Sequence, residues 1–164
     1  HGGSIRIFAQ HTETGKQPID SHVDEMHKKE ASFGINDLDT YDNFSKQVRQ
    51  TKNALLEFFI NAKREKKTIV GYGAAAKGNT LLNYCCIRTD YLDYTVDLSP
   101  HKQGMFLPGT HIPVYSPDKI KETRPDYILI LPWNIKDEII EQMSYVREWN
   151  AKFVIAIPQV TVIE

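Results

Sequence analysis

Cysteine is nearly absent from this 164-residue sequence, and the two that occur, Cys85 and Cys86, are adjacent. Such a pair supplies neither a disulfide framework nor a cysteine-rich zinc site within the chain. Free cysteine packs as a small apolar side chain, so helix packing accounts for the pair better than redox chemistry, and a reducing, cytoplasmic setting suits it. A surplus of one charge is also lacking, since 20 Lys and Arg face 21 Asp and Glu for a net charge of −1. Gripping a phosphate backbone needs clustered excess cations, which argues against nucleic acid as a partner. No apolar run approaches the roughly 20 residues that cross a bilayer, and no basic segment leads into an apolar stretch at the amino end, so no membrane partner is expected. Internal repeats, a Ser-His-Asp arrangement, H-E-x-x-H spacing and a Walker loop are all missing, which leaves binding rather than catalysis as the expectation. The chain opens on His1-Gly2-Gly3-Ser4 without an initiator Met, and it is expected to be a fragment of a longer protein.

What is present is a patterned series of elements. Residues 4–9 set Ile5 and Ile7 against Arg6 and Phe8, as a short strand does, and a polar loop with Gly15 and Pro18 follows. Residues 19–33 carry sparse apolar positions at Val23, Met26 and Ala31, which predicts a short exposed helix ended by Gly34. Thr40 is placed to cap a long helix running from Tyr41 to about Lys66, with Phe44, Val48, Leu55, Leu56, Phe59 and Ala62 along one face. The basic residues 63–67 match the negative end of that helix and receive no function. One domain over 1–164 is expected, with 1–40 an arm and 41–164 the core.

Beyond Lys67 the texture becomes an alternation of strands and helices. Short β-branched runs at 68–72, 94–97, 127–131 and 153–157 have the character of strands buried on both faces. A helix over 135–148 is capped by Asn134 in this reading, and a shorter one, opened by Ser116 and Pro117, carries Ile120 and stops before Arg124-Pro125. The expected fold is therefore α/β: a Rossmann-like three-layer arrangement with a mostly parallel sheet, preceded by a short strand and a helical segment.

The run GYGAAAKGNT at 71–80 joins the first of these strands to a helix containing Leu81 and Leu82. Small residues let backbone approach a ligand closely, and the open N–H groups and dipole at a helix start suit a phosphate or pyrophosphate. Gly71, Gly73, Ala74, Ala75, Lys77, Gly78, Asn79 and Thr80 are thus candidate contacts, with Lys77 adding a charge. The spacing departs from the dinucleotide fingerprint G-x-G-x-x-G, with Ala76 where the third glycine stands. Asp97, ending the next strand, occupies the place of the acid that takes ribose hydroxyls in NAD-binding proteins. The structural alternative is that Gly71 and Gly73 serve tight packing alone and that Asp97 closes a turn before Pro100.

Residues 97–114 form a long loop leaving the same sheet edge, and Lys102 and His111 are its candidate contacts. For His111, a structural role in a proline-stiffened loop is the competing account. Trp133 follows the third predicted strand and offers a ring on which a base or sugar can stack, while Asn134 caps the next helix or bonds a ligand.

The motifs HGGS-x-R (1–6), GYGAAAKGNT (71–80), VDLSPHKQGMFLPGTHIPV (96–114), RPDYILILPWNIKDEI (124–139) and FVIAIP (153–158) together resemble the carboxyl-terminal domain of S-adenosylmethionine (SAM)-dependent sugar C-methyltransferases. The resemblance implies a longer protein with an amino-terminal zinc module, a central SAM-binding domain and this Rossmann-like domain, which helps hold a nucleotide-linked keto sugar. It further implies proton removal beside the sugar ketone and attack of the enolate on the methyl of SAM, with neither SAM nor the acid-base residues held here. Lys77, Asn79, Lys102 and His111 become the preferred substrate contacts, without catalytic roles, and the isolated chain is expected to be inactive. Two other readings stay open: a stand-alone NAD(P)- or CoA-binding regulatory module, and a scaffold whose core has lost its ligand.

Overall fold

The computed structural model describes residues 4–164, so His1, Gly2 and Gly3 of the opening motif lie outside the described residues. The chain falls into two units, one ending at Val48 and the other beginning at Arg49.

In the first unit, α1 spans Ser21–Phe33 and α2, Leu38–Arg64, begins. Asp20 starts α1 by accepting the His22 N–H at 2.9 Å, and Gly34 ends it at φ +82°, the left-handed cap geometry that glycine adopts without a Cβ clash. The strand expected at 4–9 does not form: the segment pairs with nothing among the described residues, and Ile5, Ile7 and Phe8 are 68%, 78% and 86% exposed. Alternation alone does not make a strand, which also needs backbone partners to pair with. Thr40 is not the cap of α2 either. Asp37 is, through its Oδ1 accepting the Asp39 N–H at 3.1 Å, while Thr40 N–H already bonds back to Asp37 O at 3.2 Å. No residue from 4 to 48 is buried.

The second unit contains β1 (Ile69–Tyr72), α3 (Ala76–Cys85), β2 (Thr95–Val96), β3 (Val114–Tyr115), α4 (Asp118–Thr123), β4 (Tyr127–Ile130), α5 (Lys136–Gln142), β5 (Lys152–Ile155) and β6 (Thr161–Ile163). The strands lie in the order β3-β2-β1-β4-β5-β6. All neighbours are parallel except β5 and β6. This is the Rossmann order, whose switch point falls between β1 and β4. The α/β reading holds, and β3 and β6 are additions to it. Both are too short to show a period of their own.

Alternation along the strands produces the layers. Ile69, Leu129, Leu131 and Val154 point to one face, where Leu55, Phe59 and Ala62 of α2 and Leu82 of α3 cover them. Val70, Tyr72, Ile128, Ile130, Phe153 and Ile155 point to the other, against Ile120, Ile139, Met143 and Val146. Full burial of each large apolar side chain contributes about 1.5–3 kcal/mol, so these faces hold the sheet. The helix expected over 135–148 is instead a 3-10 turn at Trp133–Ile135, then α5, then 3-10 winding at Ser144–Trp149. Residues three apart eclipse in the tighter winding, which keeps both Met143 and Val146 in the core. Asp126 ties the amino ends of β1 and β4 together by accepting from Lys67 Nζ at 2.8 Å and from the Thr68 N–H and hydroxyl, each at 2.9 Å. Among the described residues no helix is long and apolar enough to cross a membrane.

Two phenylalanines of α2 separate core from surface. Phe59 is fully buried and Phe44 is 64% exposed. In urea unfolding Phe59→Ala is expected to lose about 3–5 kcal/mol, whereas Phe44→Ala stays within about 0.5 kcal/mol of the parent. Equal losses would show that the core assignment is wrong.

Candidate functional site

The glycine turn begins where β1 ends. Gly73 sits at φ +95°, and a Cβ there would lie 2.6 Å from Pro132 Cδ, so the turn after β1 is pressed against the turn after β4. Gly71, one step earlier, leaves room for the Thr95 hydroxyl, which would stand 2.7 Å from a Cβ. Thr95 Oγ1 uses that room to donate to Gly73 O at 3.1 Å, and Gly73 N–H donates to Val96 O at 2.6 Å. Gly78 lets α3 settle onto the end of the sheet, since a Cβ there would meet Leu131 Cβ at 2.6 Å. The close helix-to-sheet approach thus falls at Gly78 and not at Ala76.

Helix α3 has no side-chain cap. Asn79 is the first of its residues to bond inward, its N–H donating to Ala75 O at 2.9 Å, so the helical amides ahead of it have no intrahelical acceptor at the positive end of the dipole. Asn79 Oδ1 is buried and has no hydrogen-bond partner among the described residues. Thr80, next along, is exposed and turns its hydroxyl back to Ala76 O at 3.1 Å.

Asp97 ties the long loop to this turn. Its Oδ2 accepts from Ala74 N–H at 2.7 Å and from Lys102 Nζ at 3.1 Å, and its Oδ1 accepts from Ser99 N–H at 2.8 Å. Lys102 Nζ also donates to Ala74 O at 3.1 Å, and Gln103 Nε2 holds Asp97 O at 2.9 Å. Burial pushes the Asp97 carboxyl up, but the Ala74 and Ser99 amides and the Lys102 ammonium outweigh it, and the group rests below the usual carboxylate range.

On the other side of the turn, Lys77 Nζ donates to Asn134 Oδ1 and lies 4.6 Å from the centre of the Trp133 ring. Asn134 therefore does not cap α5, which starts without a side-chain cap. The 3-10 turn that precedes α5 presents the amide to Lys77 instead.

The structure thus gathers residues 71–80 with Asp97, Lys102 and Trp133. His111 stands apart: it is exposed, at φ +57°, and its imidazole makes no hydrogen bond among the described residues. Its loop reaches α3 elsewhere, through Asn83 Nδ2, which donates to Asn79 O at 2.9 Å and to Pro108 O at 3.0 Å. Thr95, Asn83 and Gln103 escaped the sequence reading. Thr95 left one trace there, a hydroxyl in a run otherwise suited to burial, which must find an acceptor.

The sequence model of the family described as C-methyltransferase C-terminal domain matches residues 1–158. C-methyltransferase NovU from Streptomyces niveus is 34% identical over 163 residues, a match covering 99% of this chain and 39% of that protein. The chain therefore spans about two fifths of the length of this curated relative. Among solved structures it is similar to UDP-D-quinovosamine 4-dehydrogenase from Vibrio fischeri, at 16% identity and a TM-score of 0.44, over 60% of this chain and 93% of that one.

Asp97→Asn is expected to cost about 1–3 kcal/mol in urea unfolding at pH 7, because a buried acceptor of charged and amide donors is weakened. A carboxyl depressed in the folded state contributes its stabilisation above the ordinary value of about 3.9, and loses it as pH falls through the lower folded value. The gap between parent and variant should accordingly close with acidification. Asp126, also held below its usual range because Lys67 and Thr68 outweigh its burial, is present in both proteins and cancels. A gap independent of pH would show that the Asp97 charge is not what holds the turn.

Proposed function

The chain belongs to the C-methyltransferase C-terminal domain family, and we propose that its part is to anchor the diphosphate of a nucleotide-linked keto sugar on residues 71–80. The observation that carries this reading is the open first turn of α3 at the sheet's switch point, between the turns that follow β1 and β4. The first-turn amides, the helix dipole and the Lys77 ammonium all favour a dianionic group there. Trp133 borders the same place and offers a face for the base or sugar.

The residues do not fit SAM. Asp97 is the acid positioned to take ribose hydroxyls, and both its oxygens are engaged within the protein. We therefore assign SAM to a domain of a longer protein outside this chain, and no proton or methyl transfer to any residue here. What the chain contributes is position, since a sugar tethered through its diphosphate meets its reaction partner at high effective concentration. The first unit suits attachment to such a domain: Val23, Met26, Phe33 and Leu38 are 46%, 41%, 73% and 81% exposed, an apolar surface of the kind that partners cover. The free thiols of Cys85 and Cys86 accord with a cytoplasmic protein. Family membership also weighs against the stand-alone dinucleotide-binding module.

Calorimetric titration with thymidine diphosphate, or with its sugar conjugate, is expected to give saturable heat and a raised melting temperature. Lys77→Ala should weaken binding about tenfold or more, as loss of a charge-assisted hydrogen bond does. Neither heat nor a melting shift at millimolar ligand would count against the anchoring role.

A further inference from the structure

Lys77 is on the wrong end of its helix. A cation in the first turn faces the positive end of the dipole, an unfavourable place for an ammonium unless an anion lies between. Here the ammonium is held by other means: the carbonyl oxygen of Asn134 accepts from it, and the Trp133 ring lies 4.6 Å away. A cation over an indole face is stabilised by the ring quadrupole. Both partners belong to the turn after β4, which the Pro132 contact sets against the glycine turn.

From this arrangement we infer that Lys77 has two alternative partners, and that Asn134 is the positioning residue that sets the balance between them. Without an anion, Lys77 covers the Trp133 face and bonds Asn134. An anion on the first-turn amides of α3 draws the ammonium off the ring, and the uncovered indole then accepts the planar base of the same ligand. The selected ligand class is thus a diphosphate carrying an aromatic base, favoured over inorganic pyrophosphate because only the former replaces Lys77 on Trp133. The inference rests on the anchoring role proposed above and goes beyond it in giving Lys77, Trp133 and Asn134 one coupled action.

The test uses the whole chain carrying Trp149→Phe, which leaves Trp133 as its single tryptophan. Binding of thymidine diphosphate and of inorganic pyrophosphate is followed by calorimetry and, in parallel, by tryptophan emission, with circular dichroism confirming that each variant is folded. Thymidine diphosphate is expected to change the emission with the same midpoint as the heat, and to bind at least tenfold more tightly than pyrophosphate. Asn134→Ala releases Lys77 and should tighten thymidine diphosphate binding about threefold to tenfold, whereas Lys77→Gln should alter the ligand-free emission and weaken binding. Heat without an emission change, or Asn134→Ala leaving affinity unchanged or lowering it, overturns the exchange while leaving the anchoring role intact. Absence of heat from the Trp149→Phe protein and from the parent chain alike overturns both.

Discussion

The Asp97 carboxylate is the constraint on which the candidate site depends. It accepts from the Ala74 and Ser99 amides at 2.7 and 2.8 Å, so one group fixes both the glycine turn and the start of the 97–114 loop. Its side chain is 13% exposed and that of Lys102 is 46% exposed. An ion pair so open on its cationic side is worth little alone, which gives the amides the larger share of the hold. Lys102 acts through geometry more than charge: by donating to Ala74 O as well as to Asp97, it closes the knot from the outside. With Ala74 fixed, the direction of the α3 amides is fixed too.

That knot works only because the backbone around it is allowed to come close. Gly71 admits the Thr95 hydroxyl, Gly73 admits Pro132 and Gly78 admits Leu131, each at a spacing that a Cβ would turn into a clash. The three glycines meet three different neighbours: Thr95 of β2, Pro132 in the turn after β4, and Leu131, the first residue beyond β4. They therefore lock the turn in position. The packing role that the sequence left as an alternative for Gly71 and Gly73 is therefore seen in the geometry, and Gly78 shares it.

The fold was legible where burial dictated the pattern. Val70, Ile128, Leu129 and Phe153 lie in runs that have to be buried on both faces, and those runs became the central strands. Residues 4–9 carried the right alternation but pair with nothing among the described residues, and pairing is not written in a strand's own sequence. The two-residue β3 and the three-residue β6 are defined by their neighbours alone. At the site, the glycine turn, Asp97 and Lys102 were visible as motif and loop, yet the bonds joining them were not, because they link residues far apart in the chain. Asn134 shows the same limit: its type suits a helix cap, and only the 3-10 turn around it gives it to Lys77.

The chemistry of the site follows from which groups remain uncommitted. The nearby carboxylate accepts from three donors, and His111 is exposed with no imidazole hydrogen bond among the described residues. What is left is the Lys77 ammonium and the first turn of α3, which favour negative charge, beside the Trp133 face, which favours a cation. A chain with a net charge of −1 thus sets an ammonium and a helix amino end together beyond the carboxyl ends of its central strands. Under the proposed anchoring role, that arrangement suits holding a phosphorylated group. On the anchoring role proposed above, the domain's influence on rate comes through the position it gives its ligand.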